Sequence, residues 1–236
     1  MTRTPSILLR AQGVLKSYGN THALRGVDFD VHAGSVNVLI GENGAGKSTL
    51  MRILAGVEQP DAGTLLLNDE QVRFASVRDA ARQGIGIVFQ ELNLCPNLTV
   101  VENIFLSHSI VGRTGIDRHA EREKAATILA RLKSNIDLDR EGSELPIGEQ
   151  QVVEIARALA EKVQILILDE PTSALSETEV DVLFDVIAEL KRAGVGIVYI
   201  SHRLEELMRI GDHVTVMRDG SVVASVPAAE ASVPWI

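Results

Sequence analysis

The sequence predicts a layered α/β fold with a largely parallel sheet at its centre, and three observations carry that prediction. Four short runs are apolar at nearly every position: VNVLI (36–40), IGIVF (85–89), QILIL (164–168) and GIVYI (196–200). Runs of this kind mark strands covered on both faces, as strands of parallel sheets are. Stretches with apolar residues at helical spacing alternate with them, the order expected of a sheet wrapped by helices. Stop and start residues such as Gly56, Ser176 and Asp219-Gly220 stand at the ends of the periodic segments.

Taken in order, STLMRILAG places Leu50, Ile53 and Leu54 on one helical face and stops at Gly56, a carboxy-terminal cap residue. Residues from about 92 to 160 are more charged and more helical, as in DRHAEREKAATILARLK, and are expected to form a lobe beside the main sheet. Ser176 to Arg192 carries Val180, Leu183, Ile187 and Leu190 at helical spacing, and Ser176 with Glu179 makes an S-x-x-E capping box. HVTVMRDGSVVASV reads as two alternating strands around Asp219-Gly220, a hairpin signal. The chain carries no low-complexity tract, internal repeat or heptad array.

A length of 236 residues suits one compact unit with a subdomain better than several independent domains. The formal net charge of -9, with no cluster of Lys and Arg, argues against a duplex nucleic-acid binder, which must neutralise phosphates. Cys95 is the single cysteine, so no internal disulfide can form, and no metal-type Cys/His spacing accompanies it. That usage fits a reducing compartment. MTRTPSILLRAQGV lacks the long apolar stretch of a secretion signal, and runs such as VQILIL are too short to span a bilayer. A cytosolic chain is therefore expected, free to dock onto a membrane protein.

The strongest chemical signal is GENGAGKST, residues 41–49, which matches G-x-x-x-x-G-K-[ST] directly after the strand VNVLI and before an amphipathic helix. Gly41, Gly44 and Gly46 let the loop (with Glu42, Asn43 and Ala45) fold so that backbone N–H groups converge on phosphates at the positive end of the next helix. Lys47 would reach the β- and γ-phosphates, Ser48 would give an oxygen to Mg²⁺, and Thr49 follows in the same helix start. A glycine-rich turn alone accounts for the glycines but not for Gly-Lys-Ser opening a helix. Downstream, ILILDEPTSALS places Asp169 and Glu170 at the end of an apolar strand, facing the crevice at a sheet's carboxyl edge. Asp169 suits a Mg²⁺ contact, and Glu170 suits polarising an attacking water. Two acids after a strand are otherwise a solvated loop start, a reading the nearby P-loop weakens.

With these motifs in order, the chain resembles the nucleotide-binding domain of ATP-binding cassette (ABC) transporters from about Leu8 to Ala231. The landmarks are Tyr18 in KSYGNTHAL, the GENGAGKST loop, Gln90 in VFQELNL, LPIGEQQVVEIARAL, ILILDEPTSALS and His202 in YISHRLEEL. The phrases FQELNLCPNLTVVENIFL, DEPTSALSETEV and ISHRLEEL look like monosaccharide importers of the ribose, galactose and xylose type. The resemblance implies a P-loop NTPase core with a mostly parallel sheet, an antiparallel β subdomain and a helical lobe. It implies one ABC ATPase domain over 1–236, with the core in about 1–91 and 161–236 and the lobe in about 92–160.

It further implies an ATPase that uses ATP and Mg²⁺ and pairs head to tail with a second cassette. Such a chain works with a transmembrane sugar permease, and indirectly with a periplasmic or extracellular sugar-binding protein, on the cytoplasmic face of the membrane. Residues Glu91 to Phe105 are the expected permease contact. In that frame Tyr18 stacks on adenine, and Gln90 contacts Mg²⁺ and the attacking water. His202 touches the γ-phosphate, and Ser173 to Ser176 cross between facing domains. These importers commonly carry two cassettes in one polypeptide, of which this would be the amino-terminal one; VPWI falls where a linker to the second is expected.

One departure stands out. Where the family signature reads L-S-G-G-Q, this chain has Leu145, Pro146, Ile147, Gly148 and Glu149. Proline removes both the hydroxyl and the N–H that serine would offer to a partner's γ-phosphate, although it suits a helix start. The expectation is an intact site on this chain's own P-loop and an impaired one on the partner's. The alternative is a nucleotide-binding interaction module with little hydrolysis of its own. Nucleic-acid-associated cassettes would need coiled-coil insertions or basic linkers, which this sequence lacks.

Overall fold

The computed structural model describes residues 6–112, 115–201 and 203–230. In chain order, a long antiparallel ribbon of β1 (Ile7–Tyr18) and β2 (Thr21–His32) leads into β3 (Val36–Ile40) and α1 (Lys47–Leu54). Next come β4 (Ala62–Leu67), β5 (Glu70–Val72), α2 (Val77–Arg82) and β6 (Ile85–Val88). The middle of the chain holds α3 (Val100–Ile104), the small pair β7 (Val111–Gly112) and β8 (Gly115–Ile116), α4 (Arg118–Arg131) and α5 (Ile147–Ala160). The last third alternates β9 (Ile165–Asp169), α6 (Glu177–Arg192), β10 (Gly196–Ile200) and α7 (Leu204–Ile210), then closes with β11 (His213–Arg218) and β12 (Ser221–Pro227).

Six strands form one sheet in the order β12-β11-β3-β10-β9-β6, parallel throughout except for the β12 edge. The four apolar runs read from the sequence are the inner strands β3, β10 and β9 and the edge strand β6, and β3 and β10 are buried at every position. Their side chains alternate between two cores, as a period of two requires. Val36, Val38, Leu166, Leu168, Ile197 and Tyr199 join a core with α3 to α6, while Leu39, Ile165, Ile167, Val198 and Ile200 join one with α1. A second, antiparallel sheet in the order β2-β1-β4-β5 closes that other core over Leu50, Met51, Ile53 and Leu54 of α1.

Local chemistry explains the boundaries. The Ser176–Glu179 capping box is formed in both directions and opens α6 as expected. Asp219 and Gly220 both adopt positive φ (48° and 78°) between β11 and β12, the conformation a two-residue hairpin turn demands. Two strand edges shift from expectation: β6 ends at Val88, leaving Phe89 outside, and β9 runs from Ile165 through Asp169. Gln164 precedes the strand, its N–H donating to the Gly84 carbonyl at 2.8 Å and its carbonyl accepting from Gly196 at 2.9 Å. Pro146 sits one position before the first turn of α5, as its N-cap, rather than within it.

The sheet order decides where function can sit. β3, β10, β9 and β6 are neighbours, with Ile200 in register with both Leu39 and Asp169, and Val88 level with Leu168. Their carboxyl ends therefore share one edge, and the segments that leave them emerge side by side.

Candidate functional site

Each of the predicted loop positions lies at that edge. Gly41 leaves β3 at φ 153°, Gly44 follows at 84° and Gly46 at 99°. An added Cβ would fall 2.2 Å from the Met217 carbonyl oxygen at Gly41 and 2.5 Å from that of Ala23 at Gly46, so only glycine lets the loop lie against β2 and β11. The Ala45 N–H closes the turn onto the Glu42 carbonyl at 3.1 Å, and the Ala45 carbonyl accepts from Gly220 at 3.2 Å. α1 then starts with no side-chain cap and no acid in its first turn. A helix start of that kind leaves its first amides and its positive end to a ligand.

Lys47 turns back over the loop and donates to the carbonyls of Gly41 at 2.6 Å and Glu42 at 3.0 Å. Burial lowers its pKa, and the carboxylates of Glu170 and Asp169 pull it back up. The lysine ammonium thus stands between the loop and the acidic pair. Asp169, the last residue of β9, has its pKa raised by burial and by Glu170, against Lys47 and Arg52. Glu170 steps off the strand at φ 47°, a conformation uncommon outside glycine, and its N–H donates to the Ile200 carbonyl at 3.0 Å. That turn swings its side chain to meet Gln90 Nε2, which donates to Oε2 at 3.1 Å. Lys47, Asp169, Glu170 and Gln90, separated by up to 123 positions of sequence, are brought together here.

Ser48, Gln90 and Asp169 line one cleft of about 1240 Å³. Its far walls come from α2, the start of the segment after Gln90, α4 and α5, through Arg78, Asn93, Lys124, Glu154 and Arg157. The oxygens of Ser48, Gln90 and Asp169 are the hard donors that Mg²⁺ takes, and few protein ligands suffice for an ion that keeps its waters and shares phosphates. Among the described residues no group of three or more His, Cys, Asp or Glu makes a dedicated metal cage.

Tyr18 ends β1 with 46% of its surface exposed. Its hydroxyl donates to Glu58, which also pairs with Arg52 of α1 at 3.6 Å. Burial and Glu58 raise the Tyr18 pKa, and Thr49 opposes them. The exposed ring thus sits beside the loop's helix. Glu58 and Asp61, which accepts from the Ser17 N–H at 2.7 Å, hold this end of β1. No motif in the sequence marks either acid.

The signature segment stands apart from these groups. Pro146 caps α5 with its carbonyl, which accepts from the Gln150 N–H at 3.0 Å, and offers no side-chain cap. The Gln150 side chain covers the Leu145 carbonyl at 2.8 Å, and Arg140 pairs with Glu149 at 2.9 Å. Ile147 is exposed, and a Cβ on Gly148 would lie 3.3 Å from the Ala174 carbonyl oxygen, so the helix start abuts the loop that follows Glu170. His202 lies outside the described residues. Four residues further on, Glu206 is buried and gathers hydrogen bonds from Thr172, Tyr199, Ser201 and Arg203. Its only trace in the sequence is an acid at an inward position of a short helix.

A glycine loop after β3 and an acidic end on β9, delivered to one sheet edge by parallel strands on either side of β10, define a P-loop nucleotide-binding domain. The family model for ABC transporters matches residues 24–173, and the chain belongs to that family. It is 48% identical over 233 residues, 98% of its length, to the ribose import ATP-binding protein RbsA of Rhodopirellula baltica. It is 46% identical over 228 residues, 97% of its length, to the ribose import ATP-binding protein RbsA 2 of Streptomyces coelicolor. These alignments cover 46% and 44% of the relatives, so the chain spans about half the length of the curated relatives it matches.

Solved structures agree on the fold. A dimeric bacterial ABC transporter cassette superposes with a TM-score of 0.85 at 26% identity, over 93% of this chain and 98% of that one. A nucleotide-free ATP-binding cassette from an ABC transporter gives 0.81 at 28% identity, over 94% and 92%.

Proposed function

We propose that this chain is the ATP-hydrolysing cassette of a sugar importer, and that it works head to tail with a second cassette. The convergence of Lys47, Asp169, Glu170 and Gln90 at the mouth of an uncapped helix is the observation that carries this reading. The amides of residues 41–49 cradle the phosphates. Lys47 exchanges its two loop carbonyls for β- and γ-phosphate oxygens. Tyr18 stacks on adenine, a contact worth roughly 1–3 kcal/mol for a base on an aromatic ring. Bound Mg²⁺, held by Ser48, Gln90 and Asp169, supplies charge neutralisation on the phosphates. Glu170 takes the proton of the attacking water on a carboxylate oxygen, Gln90 orients that water, and His202 contacts the γ-phosphate.

The core comprises about 1–91 and 161–236, and 92–160 forms a lobe that passes closure of the dimer to a membrane permease through Glu91 to Phe105. Among the described residues no helix is long and apolar enough to cross a membrane, which suits a subunit held by such a permease. The sites of work are then the cytoplasmic face, with a sugar-binding protein on the opposite side. The relatives' names make ribose or a similar monosaccharide the first substrate to try.

Lys47→Ala should abolish nucleotide binding or turnover, while Glu170→Gln should bind ATP and keep it. Hydrolysis at the wild-type rate by Glu170→Gln, in the assembly with permease and second cassette, would show that the base lies elsewhere. Pro146 favours one other reading, a module that binds nucleotide and hydrolyses little. Partners that fail to stimulate the chain's own hydrolysis would select it.

A further inference from the structure

Glu206 is used by none of the steps above, yet it is the most heavily bonded buried acid described in the chain. It is 7% exposed, and side chains from three segments donate to its carboxylate. Thr172 Oγ1, from the loop after β9, reaches its two oxygens at 2.9 and 3.0 Å. Tyr199 Oη and Ser201 Oγ, from the end of β10, reach Oε2 at 2.8 and 3.0 Å. The Arg203 guanidinium, at the start of α7, reaches Oε1 at 3.3 Å. Burial and the neighbouring carboxylate push the Tyr199 pKa up, which keeps that hydroxyl a donor.

A buried carboxylate must be satisfied, and hydrogen bonds to an ionised acceptor are short and strong. Satisfaction alone does not require that the donors come from these three places. Thr172 is two residues past Glu170, and Ser201 and Arg203 flank His202 in the sequence. One further bond joins the segments, Glu170 N–H to the Ile200 carbonyl at 3.0 Å, and each is tightened within itself by Ser173 N–H to the Glu170 carbonyl at 3.3 Å and Arg203 N–H to Ser201 Oγ at 3.0 Å. One carboxylate therefore joins the loop that leaves the catalytic acid to the residues on either side of His202.

We propose that Glu206 is a positioning residue, which locks the Thr172–Leu175 loop to Ser201 and Arg203, so that Glu170 is held in register with the residues that flank His202 in the sequence. The proposal rests on the roles given above to Glu170 and His202, and it adds the group that registers one against the other. The same unit includes Ala174, whose carbonyl abuts Gly148 at the start of α5. A displacement of the loop is thus felt on both the hydrolytic side and the signature side of the chain.

Glu206→Gln keeps the shape but loses the charge and one acceptor. Hydrogen exchange on the chain itself should then speed up at least tenfold at amides of 172–175 and of 201–203 together, while β3 and α1 keep their protection and ATP affinity stays within twofold. Faster exchange confined to α7, or none at all, overturns the proposal. In the hydrolysing assembly the same variant should lose at least tenfold in kcat with KM for ATP within twofold, and Thr172→Val should cost nothing further in its background. An unchanged kcat, or additive losses, also overturns it. If Glu206→Gln does not fold, Thr172→Val alone decides: it must speed exchange at 201–203, across the carboxylate. If the wild-type assembly shows no hydrolysis, the proposed activity fails, and the exchange measurements still judge the lock.

Discussion

Gly44 and Gly46 both have positive φ, but for different physical reasons, and alanine at each separates them. At Gly44 an added Cβ meets nothing within 4 Å, so Gly44→Ala bears only the cost of positive φ, about 1–2 kcal/mol. At Gly46 the Cβ would lie 2.5 Å from the Ala23 carbonyl oxygen and 2.9 Å from Leu24 Cδ2. The leucine methyl can turn away, but the backbone oxygen belongs to β2, which pairs with β1 along its whole length. Overpacking of this kind adds about 1–3 kcal/mol, for a total of about 2–5 kcal/mol. With a urea slope of about 2–3 kcal/mol per molar, the unfolding midpoint should fall by about 0.5 M for Gly44→Ala and about 1–2 M for Gly46→Ala. Equal falls in the two variants would refute the claim that the loop is wedged against β2.

Two further outcomes are expected. Pro146→Ser should leave stability within about 0.5 kcal/mol, because the gained cap of about 1 kcal/mol offsets the entropy that proline removes from the unfolded chain. In a dimer with its natural partner it should raise turnover at the partner's site by about 10²-fold, and an unchanged rate would sink the idea of an impaired signature. Glu161 pairs with His108 Nδ1 at 2.9 Å, which holds its carboxyl below the ordinary 4.5 against the opposing effect of burial. A depressed acid stabilises the fold fully above its unfolded pKa and loses that contribution as pH falls through the folded value. Between about pH 5 and 3 the wild type should therefore lose stability more steeply than Glu161→Gln, measured by urea midpoints; parallel profiles would contradict the pairing.

Much of the fold was legible because its signals are local. A strand buried on both faces must be apolar throughout, and VNVLI and GIVYI could hardly be anything else. Asp219-Gly220 and the Ser176 box encode backbone geometry in two to four residues, and both formed as read. The β1–β2 ribbon was not legible, because bulges break its alternation at four places in the pairing and blur the period of two. The Thr99–Glu102 capping box was there to be read but opens a helix of only five residues, too short for a periodic signal. In the site, motif residues were legible and their supports were not. Glu58, Asp61 and Glu206 act through partners 34 to 45 positions away for their longest bonds, and no spacing rule reaches that far.

The charges at the cleft carry one more argument about its ligand. Asp169 and Glu170 stand at one strand end, and burial, followed by the Glu170 carboxylate, raises the Asp169 pKa. Lys47 and Arg52 oppose that rise, so both are already set against the charge of Asp169. A triphosphate brought beside this pair adds several negative charges next to Lys47, which already donates to the Gly41 and Glu42 carbonyls. Lys47 can turn from the Gly41 and Glu42 carbonyls to the phosphates, but it cannot then also shield both carboxylates. On the proposed function, a divalent cation would supply positive charge beside the nucleotide, and Ser48, Gln90 and Asp169, the oxygen donors proposed to hold it, line the same cleft.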